Sequence, residues 1–128
     1  MTGVQTCALP IFNAKVFGWV DAATFLSACD LILSTSENEG MPVALIEAQL
    51  AGIPVVATNV GSSAEVIAHN QTGLITSKEK SEIITAINQL LNAPETLKNM
   101  GISAATHART HFAPEVMIQK HINLYRAI

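Results

Sequence analysis

Glu39 and Glu47 are separated by the seven residues GMPVALI, a run that reads as the start of a helix. Pro42 suits the first helical position, where its missing N–H costs nothing, so a helix is expected over residues 42–51, stopping at Gly52. Glu39 then lies in the loop facing the helix start, and Glu47 one turn inside. The neighbours of Glu47 at helical spacing are Val43, Ala44, Leu50 and Ala51, so no lysine or arginine offsets its charge. A carboxylate on so apolar a helix either reaches solvent or meets hydroxyl donors of a ligand, because burying it unpaired is costly. The helix start itself offers free N–H groups and the positive end of a dipole, which suits the 40–44 loop to a phosphate. Gly40 lets the backbone come close.

The elements that must position these residues alternate along the chain. Val16-Phe17 before Gly18 reads as the end of a short strand, Leu31-Ile32-Leu33 as a second, Val55-Val56-Ala57 as a third and Gly73-Leu74-Ile75-Thr76 as a fourth. Helical segments lie between them, at about residues 22–29, at 42–51, and at a short turn where Ser62 and Glu65 have capping-box spacing. Three more helices follow, over residues 77–91, 95–111 and 114–125. Apolar strands alternating with helices predict an α/β fold: a partial doubly wound parallel sheet of about four strands, with helices on both faces. Ligands of such sheets bind beyond the C-terminal strand ends, which is where loops 34–41 and 58–63 fall.

The run from Glu39 to Ala48 resembles the Glu-x7-Glu motif of retaining, nucleotide-sugar-dependent glycosyltransferases of the GT-B fold, the group also called family 4. Ser36, the stretch Ala51-Gly52-Ile53-Pro54-Val55-Val56-Ala57, Gly61, Glu65 and Gly73-Leu74-Ile75 fall where that family has them. The resemblance covers roughly Val16 to the C-terminus. It implies a Rossmann-like second domain of a GT-B enzyme, and transfer of a sugar from a nucleoside diphosphate sugar to an acceptor hydroxyl with retention. By resemblance, Glu39 is the catalytic candidate, holding sugar hydroxyls and stabilising positive charge at the ring. The amides of Met41, Val43 and Ala44 would cradle sugar and diphosphate beside Gly40 and Gly61, Glu47 would bind the ribose diol, and Gly18, Trp19 and Val20 would meet the base. The expected partners are the donor, an acceptor that is a glycan, lipid or small molecule, and a missing N-terminal domain. Neither metal nor cofactor is expected.

Two departures bear on this. Ser62 stands where the family often has a second glycine, and the arginine and lysine that neutralise the family's diphosphate would lie upstream. This chain alone is therefore expected to be inactive, with residues 12–128 a truncated nucleotide-sugar-binding domain. Residues 1–11, MTGVQTCALPI, resemble a translated sequencing adapter and read as an artefactual or disordered segment. The last helix resembles one that crosses back to the first domain, so its apolar face of Val116, Met117, Ile118, Ile122 and Leu124 is expected to be partly unsheltered and the protein sticky or marginal. Two alternatives share the pattern: a sugar-nucleotide epimerase of the same fold, and a non-catalytic nucleotide-binding module acting with a partner.

Composition bounds the rest. With 49% hydrophobic and 13% charged residues, the 128-residue chain has the material for one core-rich domain. A net charge of −3 with seven scattered Lys and Arg gives no nucleic-acid footprint. Setting Cys7 aside with the first segment leaves Cys29, expected as a buried thiol, and no disulfide, which fits a cytoplasmic setting with a peripheral place at the membrane left open. His107 and His111 at i, i+4 lack the further ligands of a zinc site and read as helix histidines. Ser34-Thr35-Ser36 is no nucleophile elbow.

Overall fold

The structure, a computed structural model, describes residues 14–127; the first segment and its assignment lie outside the described residues. Three strands form one parallel sheet in the order β1 (Ile32–Ser34), β2 (Val55–Thr58), β3 (Gly73–Thr76). Ile32 pairs with Val55, and Val55 with Gly73. Around them run α1 (Ala22–Leu26), α2 (Val43–Leu50), α3 (Ser63–Val66), α4 (Lys80–Leu91), α5 (Pro94–Phe112) and α6 (Pro114–Arg126).

β2 is buried along its whole length, so its alternating side chains build two cores. Val55 and Ala57 join Leu45 and Ala48 of α2, Val66 of α3 and the adjoining Ile67 on one face. Val56 meets Leu74 of β3, Ala86 and Leu90 of α4, and Met100 of α5, on the other. Complete burial of a valine or leucine side chain contributes about 1.5–3 kcal/mol. α5 spans the two layers, with Met100 in the second core and Phe112 packed against the first.

The expected first strand is not formed among the described residues. Val16 and Phe17 are 70% and 59% exposed, and the Phe17 ring meets Phe25 of α1 edge-on with centroids 6.1 Å apart. Two apolar residues between Lys15 and Gly18 do not make a strand without a neighbour to share a ladder. α1 is also shorter than expected: Asp21 caps its start, accepting bonds from Thr24 N at 2.8 Å and Thr24 Oγ1 at 2.9 Å, but the helix ends at Leu26. Those bonds hold the Asp21 carboxyl below the usual carboxylate range. Cys29 is only partly buried, its Sγ donating to the Phe25 carbonyl at 3.3 Å. α4 starts at Lys80 rather than Ser77, because Glu79 is extended at φ −69° and ψ 123° and stands as its N-cap; Ser77 N donates to Glu82 Oε2 at 3.0 Å.

The close of α2 follows the sequence. Gly52 takes φ +78°, Gly52 N bonds Gln49 O, and Ile53 N bonds Ala48 O at 2.9 Å, which makes a Schellman motif with Ile53 buried behind it. α5 packs its backbone against this turn through Gly101, where a Cβ would stand 2.3 Å from the Gly52 carbonyl oxygen. Deeper in the same layer, Gln49 is fully buried and donates to Val66 O at 3.1 Å, while among the described residues its Oε1 and the Nε2 of His107 have no hydrogen-bond partner. α6 buries no residue. Met117, Ile118 and Leu124 are more than half exposed, as the apolar face suggested.

Two predictions follow from this packing. Glycine to alanine ordinarily favours a helix interior by about 1 kcal/mol, yet Gly101→Ala should destabilise the chain by about 1–3 kcal/mol through overpacking against Gly52, measurable by urea unfolding. Burial, then the charge of His111, lowers the His107 pKa from 6.5, with the Val66 backbone opposing. A depressed folded pKa means the unfolded chain binds the proton first, so this contribution is complete above pH 6.5 and is lost as pH falls through the folded value. Unfolding midpoints measured from pH 7.5 to 5 should fall with pH, and His107→Leu should flatten that slope.

Candidate functional site

All three strands point the same way, so the loops after Ser34, Thr58 and Thr76 leave the sheet at one end and bond to each other. Thr58 Oγ1 donates to Ser36 O at 2.6 Å, Ser62 N to Gly40 O at 3.3 Å, and Asn59 N to Thr76 O at 2.8 Å. Lys78 Nζ reaches across to Glu37 O at 3.1 Å. The loop carrying Glu39 thus has three of its carbonyls taken by its neighbours. Among the described residues, the amides of Glu37, Asn38, Glu39, Gly40, Met41 and Ala44 donate to no protein acceptor. Carbonyls turned inward and amides left open make an anion-receptive edge beside a helix start.

Pro42 is one position earlier than expected, at the N-cap of α2, with φ −77° and ψ 81°. Val43 N donates to Met41 O at 2.9 Å, which makes Pro42 the centre of an inverse γ-turn. The Val43 amide, one of the three expected to cradle the diphosphate, is therefore engaged by the protein. The amides of Met41 and Ala44 remain open. Pro42 itself is buried, while Met41, Val43 and Ala44 are exposed.

Glu39 is partly buried, and its Oε1 accepts from Ser36 Oγ at 2.6 Å. Ser36 Oγ in turn lies 3.2 Å from Ser34 Oγ. Glu47 stands exposed in the second turn of α2, away from any lysine or arginine in its own helix. Gly18, Trp19 and Val20 are all exposed, and no described hydrogen bond links them to the Glu39 loop; Trp19 is bare to solvent.

The two loop glycines differ in kind. Gly61 has φ +50°, and a Cβ there would lie 1.7 Å from the Glu39 carbonyl oxygen, so glycine is required for the loops to meet. A Cβ on Gly40 would meet nothing within 4 Å. Ser62, at φ −88° and ψ 16°, needs no glycine, and its amide serves the Gly40 carbonyl. The capping box expected at Ser62 and Glu65 is not made: with Ser62 already near helical φ/ψ, its side chain makes no cap bond, and Glu65 is exposed.

The serine pair behind Glu39, the Thr58 bond and the Lys78 crossing went unassigned at the level of sequence. A hydroxyl three residues before a loop glutamate was the available signal for Ser36; nothing local pointed to Thr58 or Lys78. An open concavity of about 330 Å³ lies elsewhere, at the outer side of β3, lined by His69, Asn70, Thr76, Ser81, Glu82 and Gln89 among others. It contains none of the candidate residues. Among the described residues, no three His, Cys, Asp or Glu side chains gather as metal ligands, and no helix is long and apolar enough to cross a membrane.

Residues 11–107 match the family model "Glycosyl transferases group 1". The chain belongs to that family. It is 34% identical over 91 residues to the D-inositol 3-phosphate glycosyltransferase of Paenarthrobacter aurescens, a match covering 70% of this chain and 22% of that protein. Sucrose-phosphate synthase from Thermosynechococcus elongatus superposes with a TM-score of 0.80 at 25% identity, over 87% of this chain and 29% of that one. Anabaena HepE in complex with UDP-glucose superposes with a TM-score of 0.75 at 25% identity, over 86% of this chain and 31% of that one. The chain thus spans less than a third of each of these proteins, and its α/β sheet is that of GT-B glycosyltransferases.

Gly61→Ala tests how the loops are held. With a positive φ and the Glu39 carbonyl in the way, it should cost at least about 1–2 kcal/mol in stability. It should also shift the amide resonances of residues 37–41, read by two-dimensional NMR; an unchanged spectrum would contradict the contact.

Proposed function

We propose that this chain is the donor-binding part of a retaining family 4 glycosyltransferase, which moves a sugar from a nucleoside diphosphate sugar to an acceptor hydroxyl. The observation that carries the reading is the loop over residues 36–44, with the Ser36, Glu37 and Gly40 carbonyls bonded to neighbouring loops, the amides of residues 37–41 and 44 open, and the Glu39 carboxylate bonded to Ser36. The HepE complex with UDP-glucose, matched at this fold, supports a uridine nucleotide as the donor's leaving part. The family match and the transferase names among the relatives do not favour the epimerase alternative.

The roles divide by chemistry. The amides of Met41 and Ala44, at the positive end of the α2 dipole, receive the diphosphate as negative charge grows on it. The exposed side of Gly40, where a side chain would meet no protein atom, is the approach for that group. Glu39 accepts bonds from sugar hydroxyls and faces the positive charge that develops at the anomeric carbon. Glu47, free of cationic partners in its own helix, takes the ribose diol, and the Gly18-Trp19-Val20 segment meets the base. Removing a single preorganised donor can cost about 3 kcal/mol; amides without cations leave this chain short of catalysis, so a second domain supplies the acceptor site and the remaining diphosphate contacts.

Calorimetric titration of the chain with UDP, GDP and ADP tests the reading. UDP should bind, and Glu47→Ala should weaken it by about tenfold, the loss expected when a hydrogen bond to a charged group is removed. Failure of all three nucleotides to bind would remove the donor-site assignment.

A further inference from the structure

The hydroxyls behind Glu39 form a directed chain. An ionised carboxylate only accepts, so the 2.6 Å bond to Glu39 Oε1 uses the single hydroxyl proton of Ser36. Ser34, 3.2 Å away, must then be the donor to Ser36 Oγ. The order runs Ser34 to Ser36 to Glu39, and the last link has the short length of a charge-assisted bond.

Two further restraints fix the middle of this chain and its Glu39 end. The Ser36 carbonyl is gripped by Thr58 Oγ1 at 2.6 Å, and Thr58 is 3% exposed at the end of the buried central strand. The Glu39 backbone is pressed by Gly61. Since the loop's main chain is held by Thr58, Lys78 and Ser62, the Ser36 hydroxyl is not needed to keep the loop in place. Its bond restrains the carboxylate: one oxygen is tied to the protein, and the other is left for a ligand.

We propose that Ser36 is a positioning residue for Glu39, setting the carboxylate toward the sugar of a nucleoside diphosphate sugar. This rests on the donor-site reading above. Glu39 serves the sugar and the open amides serve the diphosphate, so loss of the Ser36 hydroxyl should affect the sugar nucleotide and spare the free nucleotide.

The test compares UDP and UDP-glucose by calorimetry on the intact chain and on Ser36→Ala and Ser36→Thr, with side-chain three-bond couplings of Glu39 measured in each. Ser36→Ala should weaken UDP-glucose by roughly tenfold while UDP changes less than about twofold, and Glu39 should pass from one rotamer to averaged couplings. Ser36→Thr, which keeps the hydroxyl, should restore both. Equal losses for UDP and UDP-glucose would mean that the loop itself had shifted, and would overturn the proposal, as would unchanged Glu39 couplings in Ser36→Ala. Absence of any binding by the unmutated chain would instead sink the donor-site reading, and the couplings would still decide whether Ser36 orders Glu39.

Discussion

A parallel sheet delivers every one of its outgoing loops to the same end, and the backbone groups there have lost the ladder that satisfied them. In this chain three carbonyls of the Glu39 loop are taken by donors of the neighbouring loops, two of them side chains, while most of its amides are left open. Ser36, Glu37 and Gly40 offer their carbonyls to Thr58, Lys78 and Ser62, and Gly61 closes on Glu39 with no room for a side chain between them. With the Ser36, Glu37 and Gly40 carbonyls used inside the protein and the amides of residues 37–41 without a protein acceptor among the described residues, the loop's main chain shows more free donors than acceptors. The polarity of the site is therefore a consequence of how the loops are stitched, and needs no lysine or arginine in the loop itself.

That stitching depends on β2 being immobile. Val55, Val56 and Ala57 are buried between two helical layers, so Thr58, the next residue, is a fixed point from which its hydroxyl can hold Ser36. Core packing, loop position and carboxylate orientation are consecutive steps: Val56 anchors Thr58, Thr58 anchors Ser36, and Ser36 bonds Glu39. A cavity in the second core would be felt at the site only by displacing the first of these, which separates stability from binding more cleanly than a site built on a free loop would.

Much of this was legible in the sequence, and the parts that were not share a cause. The apolar runs at 55–57 and 73–76, the glycine stop at Gly52 and the helices after the sheet are local patterns, and local patterns read correctly. The strand at Val16-Phe17 and the box at Ser62 and Glu65 were also local inferences, but each needed something further: a neighbouring strand, or an extended Ser62. The bonds from Thr58 to Ser36 and from Lys78 to Glu37 join positions 22 and 41 residues apart, and no spacing rule reaches that far. Gly61 was read as a glycine for a ligand, whereas its closest neighbour is the Glu39 carbonyl.

The contrast between Gly61 and Gly40 carries the argument from fold to function. A glycine is explained when a side chain would collide with the protein or when the backbone takes a positive φ, and Gly61 meets both conditions. Gly40 meets neither: a Cβ there would project into open space, and the residue lacks the positive φ that demands glycine. Folding alone therefore gives no reason for glycine at position 40. Gly40 stands in the chain between Glu39, whose carboxylate accepts from Ser36, and Met41, whose amide is open, with the open amide of Ala44 four residues on. A group that bears negative charge and hydroxyls, and that must come close to the main chain, is the occupant whose chemistry accounts for all three features together.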